Sequence, residues 1–308
     1  MEILKYDPGH RDLVIDVQYN FYGTRLASTS ADGSLRIFDV EDGKETLLEE
    51  LRSHAGPVYT VSWSNPRCGN YIATCGVDND RGRLAIYEEV STDSFNLVHQ
   101  MDVGARLTTV QFRPDDFTTE PRTVIACAGE ESNGIGVLYF VEKTRTGWNT
   151  TMLTNLKTGP ATALSWAPPG ISFTGESNGI ASVALTGANG VVQIMSNNGR
   201  EWTEADVLPM PRRTAGRDVS WAPNIGVTVT QIAAADGEGV RVFSRDQSSF
   251  EGWTHTELPL PAGAGEVWSL SWNQTGTVLA VAHGANRVTA MAMNVSDGQW
   301  VEVSSFEG

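Results

Sequence analysis

Residues 9–40 read GHRDLVIDVQYNFYGTRLASTSADGSLRIFDV. This segment contains an apolar residue, a spacer and an aromatic residue at Val17-Gln18-Tyr19, a run of small residues at 26–29 and an apolar stretch at 35–40. Short stretches of small and β-branched residues predict strands that are buried on both faces. Turn residues such as Asp32-Gly33 separate the stretches and supply the positive φ angles that tight hairpins need. The segment therefore predicts antiparallel strands joined by short turns.

The pattern of residues 9–40 recurs along the whole chain, and such repeats decide a fold before any local motif does. The aromatic anchors lie 44 to 55 residues apart. The six copies of the apolar-spacer-aromatic pattern are Val17-Gln18-Tyr19, Val61-Ser62-Trp63, Val110-Gln111-Phe112, Leu164-Ser165-Trp166, Val219-Ser220-Trp221 and Leu270-Ser271-Trp272. Each copy is followed by two further apolar runs and then by a more polar stretch, which predicts four strands per repeat.

Four antiparallel strands in each period of roughly 40 to 55 residues are typical of a β-propeller blade, and the spacing is close to that of WD repeats. The sequence thus predicts an all-β WD-repeat propeller with six four-stranded blades. We expect residues 1–308 to form a single domain, because six repeats use the whole length. The predicted blades cover approximately 9–53, 54–103, 104–156, 157–210, 211–262 and 263–308.

Eroded WD-repeat features support this interpretation. Gly9-His10 precedes the first anchor, and Phe38-Asp39 ends the third strand of the first repeat. His10, Ser28 and Asp32 are predicted to form a buried hydrogen-bonded chain that fixes the blade, because each polar group then has a partner. A structural role for His10 is favoured over a catalytic one, since a lone histidine beside a hairpin turn is usually a satisfied core group.

The charge of the chain excludes several kinds of partner. Its 37 acidic and 22 basic residues give a net charge of −15, and the isoelectric point is about 4.7. Such a surface repels phosphates, which argues against direct binding to nucleic acid or to an anionic bilayer. We therefore expect any contact with a membrane to be indirect and to run through a partner protein.

No catalytic set, metal site or cofactor site is predicted. The five histidines include no pair at metal-ligand spacing, and the three cysteines form no CxxC motif. Residues 175–179 match G-x-S-x-G, but a nucleophile elbow needs a helix after the serine, and a strand is predicted there. The first ten residues lack the apolar stretch of a signal peptide. We therefore expect a cytosolic or nuclear protein that is not an enzyme.

The first segment, 9–40, resembles the first blade of the scaffold propellers of the SEC-thirteen and SEH-one type, which are WD-repeat subunits of the COPII vesicle coat and of the Y-shaped nuclear pore complex. The resemblance spans all six repeats and is weaker between residues 114 and 187. Its other matching strings are HAGPVYTVSWSNPRCGNYIATC (54–75), RDVSWAP (217–223) and EVWSLSWNQTGTVLAVAHGANRVT (266–289). RDVSWAP is similar to the SEC-thirteen type, whereas NFYG and WNQTGTVLA are similar to SEH-one. We favour the SEC-thirteen type.

The resemblance implies a non-enzymatic scaffold that stiffens an α-solenoid partner. Two settings follow from it, the COPII coat at endoplasmic reticulum exit sites in transport to the Golgi, and the outer ring of the nuclear pore complex at the nuclear envelope. In this family a partner inserts a blade of its own into an open ring, which is β-augmentation on the scale of a domain. The partner implied is a COPII rod protein or a Y-complex nucleoporin.

The two edges expected to meet a partner blade are the ends of the chain. The sixth repeat carries its own fourth strand at 300–306, so residues 2–6 are not needed to complete that blade, and the ring is expected to stay open. The edge residues are Ile3, Leu4 and Tyr6 at the N-terminal end and Trp300, Val301, Val303 and Phe306 at the C-terminal end. Pairing of Ile3 and Leu4 within the sixth blade, which closes the ring, is the alternative, and ordinary blade packing is the alternative role for the edge residues.

Three other functions stay open at this point. One is a subunit of the SEH-one type in the nuclear pore or in a nutrient-signalling coat. Another is a WD-repeat adaptor that binds short peptides on one face. The third is a propeller enzyme with its site in the central channel, for which no convergent acid, base or metal set can be named.

Overall fold

A computed structural model describes residues 7–91, 93–117, 120–171, 181–210, 214–223, 228–248, 251–261, 263–284, 286–294 and 296–307. The chain divides into two compact units, residues 1–156 and 157–308. Each unit contains three antiparallel sheets of four strands. Within the described ranges, no helical segment has the length and hydropathy that crossing a membrane requires.

In the first unit, each sheet consists of four strands that follow one another in the sequence, and these sheets are called blades 1 to 3. A short 3-10 helix, Pro66–Cys68, lies within blade 2. The strands of blade 1 are β1 (Val14–Tyr19), β2 (Arg25–Ser30), β3 (Leu35–Glu41) and β4 (Lys44–Leu51); those of blade 2 are β5 (Val58–Trp63), β6 (Tyr71–Asp78), β7 (Arg81–Ser91) and β8 (Ser94–Val103); those of blade 3 are β9 (Arg106–Phe112), β10 (Val124–Glu130), β11 (Gly136–Thr144) and β12 (Gly147–Thr154).

The second unit repeats this arrangement in blades 4 to 6. The strands of blade 4 are β13 (Ala161–Trp166), β14 (Ala181–Gly187), β15 (Val191–Asn197) and β16 (Trp202–Pro209); those of blade 5 are β17 (Gly216–Trp221), β18 (Val229–Asp236), β19 (Val240–Asp246) and β20 (Thr254–Glu257); those of blade 6 are β21 (Val267–Trp272), β22 (Val278–His283), β23 (Arg287–Met293) and β24 (Trp300–Glu307). The predicted all-β fold with six four-stranded blades is confirmed.

The core of each unit lies between successive blades. In the first unit, one cluster joins Leu35 and Ile37 of blade 1 to Val61 of blade 2, and a second joins blades 2 and 3. In the second unit, similar clusters join blade 4 to blade 5 and blade 5 to blade 6. Because each middle strand packs on both faces, the alternation of polar and apolar residues that half-exposed strands show is lost there.

Polar side chains on the first strand of one blade bind the backbone of the first strand of the next. Asp16 accepts a hydrogen bond from the Val61 amide at 3.0 Å. The amide of Phe112 donates to the Ser62 hydroxyl at 2.9 Å. In the second unit, the amide of Trp221 donates to Ser165 at 2.9 Å. In blades 2 and 4 the spacer serine of the sequence pattern therefore makes a polar contact between blades, and in blade 1 Asp16, two residues before the spacer, does so. These contacts satisfy backbone groups that lie at a buried junction.

Gly129 in β10 gives a test of how closely the strands pack. A Cβ atom at this residue would lie 1.9 Å from the backbone oxygen of Arg106 in β9. We predict that Gly129→Ala lowers the free energy of unfolding by about 2 kcal/mol or more, because backbone cannot move aside as a flexible side chain can. Urea denaturation of the two proteins measures the change.

Gly104 is the matched control, because a Cβ atom there meets nothing within 4 Å. Gly104→Ala is expected to change the free energy of unfolding by less than about 0.5 kcal/mol. Equal stability of Gly129→Ala and Gly104→Ala would contradict the close approach of β10 to β9.

Candidate functional site

The apolar anchor of the first strand is buried in five blades and exposed in blade 1. Val17 is 48% exposed. Its counterparts are at most 6% exposed: Val61 0%, Val110 3%, Leu164 5%, Val219 3% and Leu270 6%. Val61 packs against blade 1, so the anchor position faces the preceding blade. The matching position on β1 is therefore uncovered, whereas Leu26 and Phe38, which lie on the same face in β2 and β3, are buried.

The two faces of β1 differ in what they contact. The Asp16 side chain points towards blade 2, where it accepts from the Val61 amide, and Gln18 Nε2 lies beside it at 3.5 Å. The backbone carbonyl of Gln18 accepts from the Trp63 indole at 3.0 Å. The alternate residues Ile15, Val17 and Tyr19 are all exposed. Successive side chains of a strand point to opposite faces, so these three form one apolar strip on the uncovered face of blade 1.

Blade 6 also has an uncovered face, the one that points away from blade 5. Val288 in β23 is 37% exposed. The residues at the same register position in the other blades are at most 3% exposed: Leu35 1%, Leu84 0%, Leu138 0%, Val192 0% and Val240 3%. Leu35 packs against blade 2, so this position faces the following blade. Blade 6 thus has an uncovered face where the other blades have a buried one.

The predicted C-terminal edge residues divide between two environments. Val301 pairs with Ala292, and Phe306 pairs with Val288, so both lie beside the uncovered face of blade 6. Val303 is exposed. Trp300 is only 5% exposed and packs on Trp272, with ring centroids 5.9 Å apart. Trp300 therefore belongs to the core between blades 5 and 6. Ile3, Leu4 and Tyr6 lie outside the described residues, as do residues 175–179.

The structure brings His10, Ser28 and Asp32 together in blade 1. His10 Nε2 lies 2.7 Å from the Ser28 hydroxyl, and Nδ1 lies 2.9 Å from the Ser34 hydroxyl. Asp32 accepts from the amide of Ser34 at 2.9 Å and from the amide of Arg11 at 2.8 Å. Burial opposes ionisation of Asp32, but the hydrogen bonds from Ser34 and Arg11 outweigh it and hold the pKa of this carboxyl below its usual range. The network ties the segment before β1 to the β2–β3 hairpin.

Phe38 and Asp39 lie at the end of the third strand of blade 1. Phe38 is buried, and it takes the register position that Tyr87 occupies in blade 2. Asp39 is half-buried and lies opposite Arg25 in the backbone register of β2 and β3. Phe38 is therefore a packing residue, and Asp39 lies at the end of the blade where β1 and β2 are joined.

Blade 2 has a second histidine network around Ser53-His54. His54 Nε2 lies 2.9 Å from the Thr74 hydroxyl. Asp78 accepts from the amides of Ala55 and Gly56 and forms an ion pair with Arg83 at 2.7 Å. Burial lowers the pKa of His54 to about 4, although the nearby Asp78 acts in the other direction. The imidazole is therefore neutral at physiological pH.

A set of polar bridges on the third strands was missed from the sequence. Arg36 donates to the Pro8 carbonyl at 2.7 Å and pairs with Glu50 at 2.8 Å. Arg83, Gln193 and Arg241 likewise connect the segment that precedes a blade to a carboxylate of its fourth strand. The opposite charges of Arg36 and Glu50, and of Arg241 and Glu257, lie on neighbouring strands and are the sequence signal that could have predicted these bridges. These bridges fix the connections between blades.

The described residues include no group of three or more histidine, cysteine or acidic side chains that could hold a metal ion. The repeated blades, the histidine networks and the polar contacts between first strands define a six-bladed WD-repeat β-propeller. The WD40 family model, described as WD domain, G-beta repeat, matches residues 2–39.

Relatives extend this match over nearly the whole chain. A protein SEC13 homolog of Drosophila melanogaster is 31% identical over 98% of this chain and 83% of its own. A protein SEC13 homolog of Homo sapiens is 32% identical over 97% of this chain and 91% of its own. The protein transport protein sec13 of Emericella nidulans is 27% identical over 97% and 96%. The chain belongs to the SEC13 family of WD-repeat proteins, which confirms the favoured SEC-thirteen resemblance.

The low pKa of His54 predicts a pH dependence of stability. In the unfolded chain the imidazole titrates near 6.5, and in the fold near 4, so between these values the unfolded state binds more protons. We predict that this histidine removes up to about 3 kcal/mol of stability as the pH falls from 6.5 to 4. His54→Gln should lose this dependence in urea denaturation followed across that range.

His255→Gln is the matched control, because His255 is exposed on β20. An equal loss of pH dependence in His54→Gln and His255→Gln, or an unchanged dependence in His54→Gln, would contradict the assignment to the buried imidazole.

Proposed function

We propose that this chain is a non-enzymatic scaffold that binds a blade donated by a partner protein. The observation that carries the proposal is the exposure of Val17 and Val288 at positions that neighbouring blades bury elsewhere. Burial of apolar surface stabilises a complex by about 25 cal/mol for each Å² that is removed from water. A donated sheet covers such faces, supplies strand partners and removes exposed edges.

Ser271 gives the proposed surface a polar element. It occupies the spacer position at which Ser62 and Ser165 receive amide hydrogens from the next blade. Ser271 is exposed. A donated blade that presents a backbone amide here reproduces the contact found between blades. Two separate surfaces are therefore proposed. One consists of Ile15, Val17 and Tyr19 on blade 1, and the other of Ser271, Val288, Val301, Val303 and Phe306 on blade 6. Residues 1–308 act in this proposal as a single six-bladed disc.

The setting we propose is protein transport, because relatives named as protein transport proteins match nearly the full length of this chain. The donated blade fixes the disc to an α-solenoid, and the disc stiffens that partner in the COPII coat, in the outer ring of the nuclear pore complex, or in both. Hydrogen bonds between the first strands of neighbouring blades, such as that from the Val61 amide to Asp16, suit a rigid part. The net charge of −15 makes contact with an anionic membrane indirect.

Co-expression with a candidate rod protein tests the proposal. We expect the chain alone to aggregate and the chain with a blade donor to elute as a monodisperse complex in size-exclusion chromatography with light scattering. A stable isolated monomer that forms no complex with either a COPII rod protein or a Y-complex nucleoporin would overturn it.

Substitutions on the two faces locate the binding surface. We predict that Val17→Asp and Val288→Asp each weaken the complex by at least about tenfold, because a buried unpaired carboxylate costs several times RT. Isothermal titration calorimetry or surface plasmon resonance measures the change in affinity for the blade donor. Met152→Asp is the control, since Met152 is equally exposed on β12, the outer strand of blade 3, and a comparable loss in that variant would contradict the assignment of the faces.

A further inference from the structure

The turn between β1 and β2 displays two aromatic rings to solvent. Phe21 and Tyr22 are 62% and 68% exposed. Their rings meet edge to face, with centroids 5.2 Å apart. Two adjacent, exposed aromatic side chains form an apolar patch. Exposed apolar patches mark interaction surfaces. Aromatic residues are also the commonest anchors of protein interfaces.

The turn itself does not require aromatic residues. Asn20 Oδ1 accepts from the amides of Thr24 at 2.9 Å and Arg25 at 3.0 Å, and Gly23 has a φ of 70°. Blade 6 contains the same turn, in which Asn273 Oδ1 accepts from Thr277 and Val278 and Gly276 has a φ of 67°. The two central positions are Gln274 and Thr275 there. The aromatic pair is therefore an addition to a turn that asparagine and glycine already hold.

Acidic groups lie at the same end of blade 1. The β3–β4 hairpin carries Glu41, Asp42 and Glu45, and Asp39 precedes it. The amide of Val40 donates to the Thr24 carbonyl at 2.8 Å, which joins this hairpin to the aromatic turn. Among the residues that the structure describes, no salt bridge involves any of these four carboxylates.

The neighbouring cations do not neutralise this group of carboxylates. Arg25 is occupied by Glu89 at 2.8 Å. Lys44 lies directly opposite Glu41 in the β3–β4 register. It is one positive charge beside four carboxylates, so this end of blade 1 keeps a net negative charge. A ring face attracts a cation, and nearby carboxylates pair with the same cation. Together these groups are complementary to a guanidinium or ammonium group on an apolar stem.

We propose that the rim of blade 1, formed by Phe21, Tyr22, Glu41 and Asp42, binds an arginine- or lysine-bearing segment of a protein partner. Phe21 and Tyr22 contact the stem and the cationic head, and the carboxylates neutralise its charge. The aromatic turn lies between β1 and β2, outside the strip of Ile15, Val17 and Tyr19 to which the donated blade is proposed to bind.

Fluorescence anisotropy of the full chain with labelled peptides tests this site. The probes are Gly-Gly-Arg-Gly-Arg-Gly-Gly, the same peptide with lysine, and the same peptide with neutral citrulline. We expect the arginine and lysine peptides to bind and the citrulline peptide to bind at least about fivefold more weakly. The double variant Phe21→Ala/Tyr22→Ala should weaken arginine-peptide binding by at least about fivefold. Glu41→Gln/Asp42→Asn should weaken it as well.

Gln274→Ala/Thr275→Ala is the matched control on the equivalent turn of blade 6, and it should leave peptide binding unchanged. Equal binding by the wild type and the Phe21→Ala/Tyr22→Ala variant, equal binding of citrulline, or an equal loss in the control would overturn the proposal. Vesicles of phosphatidylcholine with phosphatidylserine form a further arm, and binding to them through Phe21 and Tyr22 in place of the peptides would overturn it too.

The blade-donor complex separates this site from the proposed scaffold function. Phe21→Ala/Tyr22→Ala should still form the monodisperse complex with a blade donor. Loss of that complex would assign the two aromatic residues to the blade-binding surface and overturn a separate peptide site. Failure of the complex in every variant, with peptide binding retained, would contradict the scaffold proposal alone.

Discussion

Every blade of this propeller is apolar on both faces, and this constraint governs the rest of the structure. A four-stranded sheet that faced water on one side would show polar residues at every second position. Here β2 buries Leu26 and Ala27 on successive positions, and β6 buries Ile72 and Ala73 in the same way. No blade is therefore stable alone, and stability comes from stacking one blade on another, as in other repeat proteins. The same constraint makes the first and last blades the places where a partner gains most.

Polar groups make this stacking specific. Apolar faces alone tolerate sliding, whereas a bond such as that of Asp16 to the Val61 amide fixes one blade against the next. The networks of His10 and His54 and the bridges of Arg36 and Arg241 hold the connecting segments at one end of the blades. Because buried polar groups are costly when unpaired, these contacts favour a single register. The proposed scaffold function, in which the chain stiffens a partner, requires such a unique arrangement.

The repeated pattern predicted the fold well because each strand carries its own signal. The run at 26–29 lies within β2, and the fourth strand expected at 300–306 lies within β24. The two uncovered faces were harder to predict, because Val17 and Val61 are identical residues in equivalent strands and differ only in what packs against them. The sequence likewise placed Trp300 on an edge, whereas its packing on Trp272 buries it. Exposure depends on neighbours that are distant in sequence, so local patterns do not determine it.

Thiol accessibility of the two faces is the most direct test of the central claim, that the terminal blades are uncovered in this chain and covered by a donated blade. Val17→Cys and Val288→Cys, each in a Cys68→Ser background, are labelled with a maleimide, with Val61→Cys as the buried reference. In the isolated chain, we predict fast labelling at positions 17 and 288 and slow labelling at position 61. In the complex with a blade donor, we predict that positions 17 and 288 are protected from labelling. Slow labelling of both faces in the isolated chain, or fast labelling that persists in the complex, would contradict it.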